Sequence, residues 1–275
     1  EHTWHQSRVT TMEALLGMTF NLAAVSILIG LFGGILLCLE LGQQIGLRNQ
    51  AEMTETARAR LTAIEAAVFA LMGLMIAFTF SGAAQRYELR RQLTVDEANA
   101  ISTSYLRLDL LPPSRQGALR EKYRRYLETR TAVYRMLPDI TASAAEATAG
   151  AKLQQEIWTG TVAALAEAPP QATIVVLPAL NQMIDITTSR AIAALTHTPK
   201  LIMVMLLMLG FVCSLLAGYT IAGSQPRHVS LHLLAFACMM TVTIYVIFDL
   251  DYPRFGFIRL DFADQALIDL LSSMK

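Results

Sequence analysis

The run from Leu15 to Leu39, 25 residues without a charge, constrains this chain more than any other feature. At 1.5 Å of rise per residue, a helix needs roughly 20 apolar residues to cross the hydrocarbon core of a bilayer. The apolar core of a secretory signal is shorter, roughly 7–15 residues, so the run reads as a membrane span and not as a cleaved leader. Three further stretches pass the same test: Leu61 to Ala84, Leu201 to Ala222 and Val229 to Phe248. Only Glu65 interrupts the second. Charged residues make up 16% of the chain, where a soluble domain carries roughly 25%.

Several function classes are excluded by what is missing. The 22 basic and 22 acidic residues cancel, whereas a nucleic-acid binder needs a basic surplus. Cys38, Cys213 and Cys238 all lie in apolar stretches, as packing thiols do, and form neither a disulfide framework nor a zinc motif. Glu65 and His232 sit close to span ends, so charged mid-membrane residues of the kind a proton-coupled transporter needs are lacking. No catalytic cluster, metal site or cofactor motif is expected.

The expected fold class is an all-α integral membrane protein: four transmembrane helices, with a helical cytoplasmic domain inserted between the second and third. Residues 1–84 hold the N-terminal tail and the first two spans, and 85–199 the inserted domain. Residues 200–249 hold the hairpin of the last two spans, and 250–275 a tail. Arg86, Arg90, Arg91, Arg190 and Lys200 flank the insert, against Arg48, Arg58, Arg60 and Arg227 opposite. The positive-inside rule then puts the insert in the cytoplasm and the chain, multi-pass, in the cytoplasmic membrane.

Within the insert, the second span's helix is expected to run on to Leu111, where Pro112-Pro113 stops it. Ser114 caps a helix reaching Leu137, and Asp139 or Thr141 an alanine-rich one that ends before Pro169-Pro170. A last helix runs from Ala172 to Leu195. The linker from Glu40 to Arg60 is polar and helical in part, Gly223 to His228 forms a turn, and Ile258 to Phe262 alternates as an extended piece before a short helix over Ala263 to Leu271.

The second span carries two stripes. Ala66, Ala70, Gly73, Ala77, Ser81 and Ala84 share one helical face, and small residues let helices approach closely in lipid. Glu65, Phe69, Met72, Ile76 and Phe80 share a neighbouring face. In a ring of identical subunits that bulky stripe forms a hydrophobic gate that closes by dewetting; otherwise it faces lipid or fills the core of the bundle. Glu65 either screens ions at an outer mouth or pairs with Arg58 or Arg60. Further small-residue ladders, Gly210, Ser214, Gly218 and Ala222 in the third span and Ser26, Gly30 and Gly34 in the first, point to a tightly packed bundle. In the insert, Arg90, Asp96, Asn99, Arg107, Asn181 and Asp185 are expected in a buried polar network that includes Arg190. Asp249 and Asp251 offer oxygen ligands to a hard cation, but capping, or pairing with Arg254, explains them without one.

Taken together, Ala77 to Gly82, Arg86, Arg90-Arg91, Asp96 to Ile101, Tyr105 to Pro112, Leu177 to Asn181 with Asp185, and Asp249-Leu250-Asp251 with Pro253 resemble the bestrophin-like family of membrane proteins. The resemblance covers Leu61 to Leu271. It extends to bestrophins, pentameric ion channels whose second span forms a neck of bulky apolar residues. It implies a homo-oligomer, a pentamer favoured, that conducts inorganic ions through a neck of Phe69, Met72, Ile76 and Phe80, with membrane lipid around it. Two departures stand out: no tryptophan-rich sequence follows the second span, and the tail lacks the acidic run of a calcium clasp. A different class of reading is a non-conducting scaffold or sensor whose helical domain binds a protein partner. An enzyme using Asp96 and Glu97 has least support, because no second catalytic cluster accompanies them.

Overall fold

A computed structural model describes residues 2–49, 54–135, 140–222, 231–253 and 256–274. Eight α-helices account for nearly all of them, and no strand occurs among the described residues. They are α1 (His2–Asn49), α2 (Glu55–Leu106), α3 (Pro113–Arg135), α4 (Ile140–Leu165), α5 (Pro170–Leu195), α6 (Lys200–Ile221), α7 (Leu231–Asp251) and α8 (Asp261–Ser273). Four of them are long and apolar enough to cross a membrane. The chain divides into two compact units. One holds residues 1–86 and 197–258, the other 87–196 and 259–275.

In the membrane unit α1 packs against α6 and α7. The α1–α6 seam is fitted backbone to backbone. A Cβ on Gly42 would overlap the Leu215 carbonyl, and one on Gly218 would overlap the Leu39 carbonyl. Such close approach substitutes in lipid for the hydrophobic drive that water supplies elsewhere. The Gly218 and Ala222 end of the α6 ladder read in the sequence thus has α1 as its partner, whereas Gly210 faces Ile244 of α7 and Met72 of α2. On α1 the fitted glycines are Gly34, Gly42 and Gly46, whereas a Cβ on Gly30 would meet nothing.

The expected polar linker after Leu39 is mostly helix, because Leu41, Ile45 and the two glycines carry the pattern past Glu40. Only residues 50–53 lie outside the description there. Thr54 caps α2: its hydroxyl accepts the Ala57 amide at 3.3 Å and its carbonyl the Arg58 amide at 3.1 Å, satisfying donors that a helix start leaves open. The turn expected at Gly223 to His228 lies outside the described residues, as do Leu137 and Asp139.

In the second unit the apolar core joins Ile101, Tyr105 and Leu108 to Tyr123, Tyr126 and Leu127 of α3, Ile157 of α4 and Leu180 and Met183 of α5. The helix leading in ends one turn earlier than expected, at Leu106, and tightens into a 3-10 turn over Arg107–Leu110. Pro113 itself starts α3, a position where its missing N–H costs nothing. Pro178 lies inside α5. Its missing donor opens the ladder there, and Arg107 Nη1 donates to the nearby Val175 carbonyl at 2.6 Å. The piece expected to be extended is short: residues 258–260 are non-helical and α8 already starts at Asp261. Leu267 of α8 and Met274 just after it enter the core.

Candidate functional site

The helix α2 runs for 52 residues, more than twice the roughly 20 a bilayer core requires. Its membrane half has two unlike faces. Met72 is 2% exposed; its methyl lies 3.7 Å from where a Cβ on Gly210 would stand, beside Ile244. Phe69 meets Phe236 of α7 edge-on, with ring centres 6.0 Å apart. Ile76 is half-buried on the same side. Glu65 accepts a hydrogen bond from the Thr220 hydroxyl of α6 at 2.5 Å, and that hydroxyl takes the place expected of Arg58 or Arg60.

Within the chain the bulky stripe is thus mostly turned inward, the bundle-core alternative among the three expected of it. Phe80 alone is exposed. The outward face holds the small ladder, with Ala66, Ala70, Gly73, Ala77 and Ser81 all exposed and nothing within 4 Å of a Cβ placed on Gly73. Along its edge stand three large apolar side chains, Leu71, Leu74 at 53% exposure and Phe78 at 69%. Sequence reading passed over these three. Their i, i+3, i+7 spacing was the available signal, but several apolar stripes coexist on so hydrophobic a helix and spacing alone does not rank them.

The polar residues of the second unit separate in the same way. The carboxylate at the centre is Glu97, not Asp96: fully buried, it takes Arg130 Nε and Arg190 Nη1 at 2.5 Å each, and Arg190 also reaches Asp264 of α8 at 2.9 Å. Two guanidiniums and two carboxylates balance there, and the cluster joins α2, α3, α5 and α8. Arg90 donates to the carbonyls of Ala193 and Thr196 at 3.0 and 2.7 Å, and Arg107 to Val175. Asp96 is half-buried, while Asn99, Asn181 and Asp185 are exposed. The six residues expected in one network therefore do not converge. Asn181 and Asp185 instead line an open groove of about 410 Å³ on α5 with Pro178, Gln182, Ile186 and Ser189.

Beside the core, the Tyr123 hydroxyl shares a hydrogen bond with Ser104, and the Tyr126 hydroxyl bonds Thr187 and Gln154. Burial pushes both phenols up to about 12, because a phenolate there would lose its water.

At the end of α7 both aspartates are occupied by the chain's own donors. Asp251 pairs with Arg86 at 2.8 Å and accepts the Thr198 amide at 2.9 Å. Asp249 accepts the amides of Phe257 and Ile258. Arg254, the partner expected from sequence, lies outside the described residues. No group of three or more metal-ligating side chains occurs among the described residues.

This arrangement defines an all-helical, multi-pass membrane protein. Solved structures share it. A bacterial bestrophin homologue from Klebsiella pneumoniae matches at a TM-score of 0.64 and 12% identity, over 87% of this chain and 97% of that one. A point mutant of that homologue matches at 0.64 and 13%, over 90% and 98%. A structure described as a membrane protein matches at 0.65 and 13%, over 89% and 98%. At these identities the likeness is one of fold. Among curated proteins, none matches this sequence. The family is settled by sequence: a model described as the bestrophin-like domain matches residues 29–261. The chain belongs to the bestrophin-like family.

Proposed function

We propose that the chain is one subunit of an oligomeric ion channel of the cytoplasmic membrane, a pentamer favoured, with the outward face of α2 lining the passage. The observation that carries this reading is the exposure of Leu71, Leu74 and Phe78 on a helix that crosses the membrane and continues into the inserted domain. Small residues next to them leave room for a second copy of α2 to approach. In a closed ring the three large side chains make a narrow apolar neck that excludes water and gates by wetting and dewetting. The insert, cytoplasmic by its flanking arginines, extends the conduit, and its exposed Asn99, Asn181 and Asp185 offer polar groups to a hydrated ion. Met72, Ile76 and Phe69 support the neck from behind, and membrane lipid surrounds the ring.

Planar-bilayer recordings test the reading. Phe78→Ala is expected to raise single-channel conductance, Phe80→Ala to have a smaller effect and Met72→Ala to leave conductance alone. Conductance that responds to Met72 and not to Phe78 would return the neck to the inner stripe. A purified, folded protein that passes no current and forms no ring would favour a scaffold.

A further inference from the structure

Within the membrane unit, the last turn of α7 holds every segment through which the chain leaves that unit. The exits are at Arg86, His197 and Ile258. Asp251 is fully buried and uses one oxygen for each of the first two: Oδ1 accepts Arg86 Nε at 2.8 Å, and Oδ2 accepts the Thr198 amide at 2.9 Å. Arg86 also donates to the Thr198 hydroxyl, which ties these two exits to each other. The His197 ring stacks on Tyr252 with centres 4.2 Å apart, and its Nδ1 lies 3.0 Å from the Asp251 carbonyl. Asp249 holds the third exit. Its Oδ2 accepts the Phe257 and Ile258 amides at 2.9 and 3.0 Å, and its carboxylate packs so closely on Gly256 that a Cβ there would overlap it.

We infer that Asp249 and Asp251 act as one clasp that couples the three exits, so that a disturbance at one is felt at the others. The coupling follows from the shared acceptor. Loss of the Arg86 guanidinium takes from a fully buried carboxylate the cation paired with it at 2.8 Å, and a buried charge deprived of its partner draws in water or rearranges. The Thr198 amide, 112 residues away in sequence, then loses its bond. Because both aspartates sit on one helical turn, fraying at Asp251 reaches Asp249 and the segment it holds. The clasp does not depend on whether the chain conducts.

Amide hydrogen exchange on the full-length protein in nanodiscs tests this. Arg86→Gln is expected to speed exchange at Thr198 by about tenfold, the effect of losing a hydrogen bond to a charged group, and at 257–258 by a smaller factor. Asp249→Asn is expected to speed exchange at 257–258 most. Asp269→Asn, on the exposed side of α8, is the control and should change none of these sites. Where Arg86→Gln fails to fold, Arg86→Lys keeps the charge and should speed Thr198 exchange by a lesser factor. Unchanged exchange at Thr198 in a folded Arg86 variant overturns the clasp, and so does a rise confined to residues next to Arg86.

Discussion

The two faces of α2 are made of similar residues and meet opposite fates. Inward, Glu65, Phe69, Met72, Thr79, Ala83, Arg90 and Glu97 all have partners on other elements or lie buried in their unit. Outward, from Ala66 through Phe78 to Asn99, the side chains stand open. The α6 ladder sharpens the contrast. Gly218 is pressed against the Leu39 backbone, whereas a Cβ on Gly73, in a ladder of similar spacing, would meet nothing within 4 Å among the described residues. Small-residue spacing therefore reports that a helix can be approached closely, not by what. Where the chain's own helices leave such a face empty, it is open to lipid, to another copy of the chain or to a water-filled passage.

The largest expected effect comes from breaking the inward side at its most charged point. Glu97→Gln removes the charge that two buried guanidiniums share and should cost the protein about 3–5 kcal/mol, as removing one partner of a buried pair does. Asp96→Asn, one position away and half-buried, should stay within about 0.5 kcal/mol. Denaturant melts of the purified protein read both.

Next is Met72→Ala, which opens a cavity between α2, α6 and α7 and should cost about 2–5 kcal/mol. Phe78→Ala should leave the subunit's melt nearly unmoved and change assembly or conductance instead. A matched pair of glycine variants follows. Gly218→Ala drives a methyl into the Leu39 backbone and should cost about 1–3 kcal/mol by overpacking. Gly73→Leu should leave the melt unchanged yet reduce the oligomer seen in native mass spectrometry. If Gly73→Leu destabilised the subunit itself, the outward face would not be open.

The smallest effect is a titration that senses only the closed core. Tyr123 and Tyr126 hold their protons up to about 12 in the fold, against an ordinary 10.0. The folded-state value is raised, so their contribution is fully present below pH 10 and is lost as the pH climbs toward 12. Ultraviolet absorbance of phenolate formation, followed beside helicity, should show these tyrosines ionising together with loss of structure. Ionisation of all eight tyrosines near pH 10 in a still-folded protein would contradict the burial of these two.

Much of the fold was legible because the bilayer leaves so few choices. Length and apolarity marked four spans, and Pro112-Pro113 and Pro169-Pro170 marked helix ends within a few residues. The segment after Glu40 was legible as helical in part, but not how far α1 continues, since its glycines serve contact with α6. The site was less legible than the fold. Asp96 and Glu97 are adjacent and chemically alike, and only the packing of α3 and α5 decides that Glu97 is enclosed. Met72 and Phe78 are likewise both bulky and apolar. Which one faces outward depends on where α6 and α7 lie, and the pattern of α2 alone does not contain that.

Imaging of the detergent-purified protein at side-chain resolution tests the central claim most directly. A closed symmetric ring is expected, five copies favoured, with α2 innermost and Phe78 directed at the axis. A monomer, a dimer without an axial cavity, or a ring whose axis is lined by Met72 would contradict it.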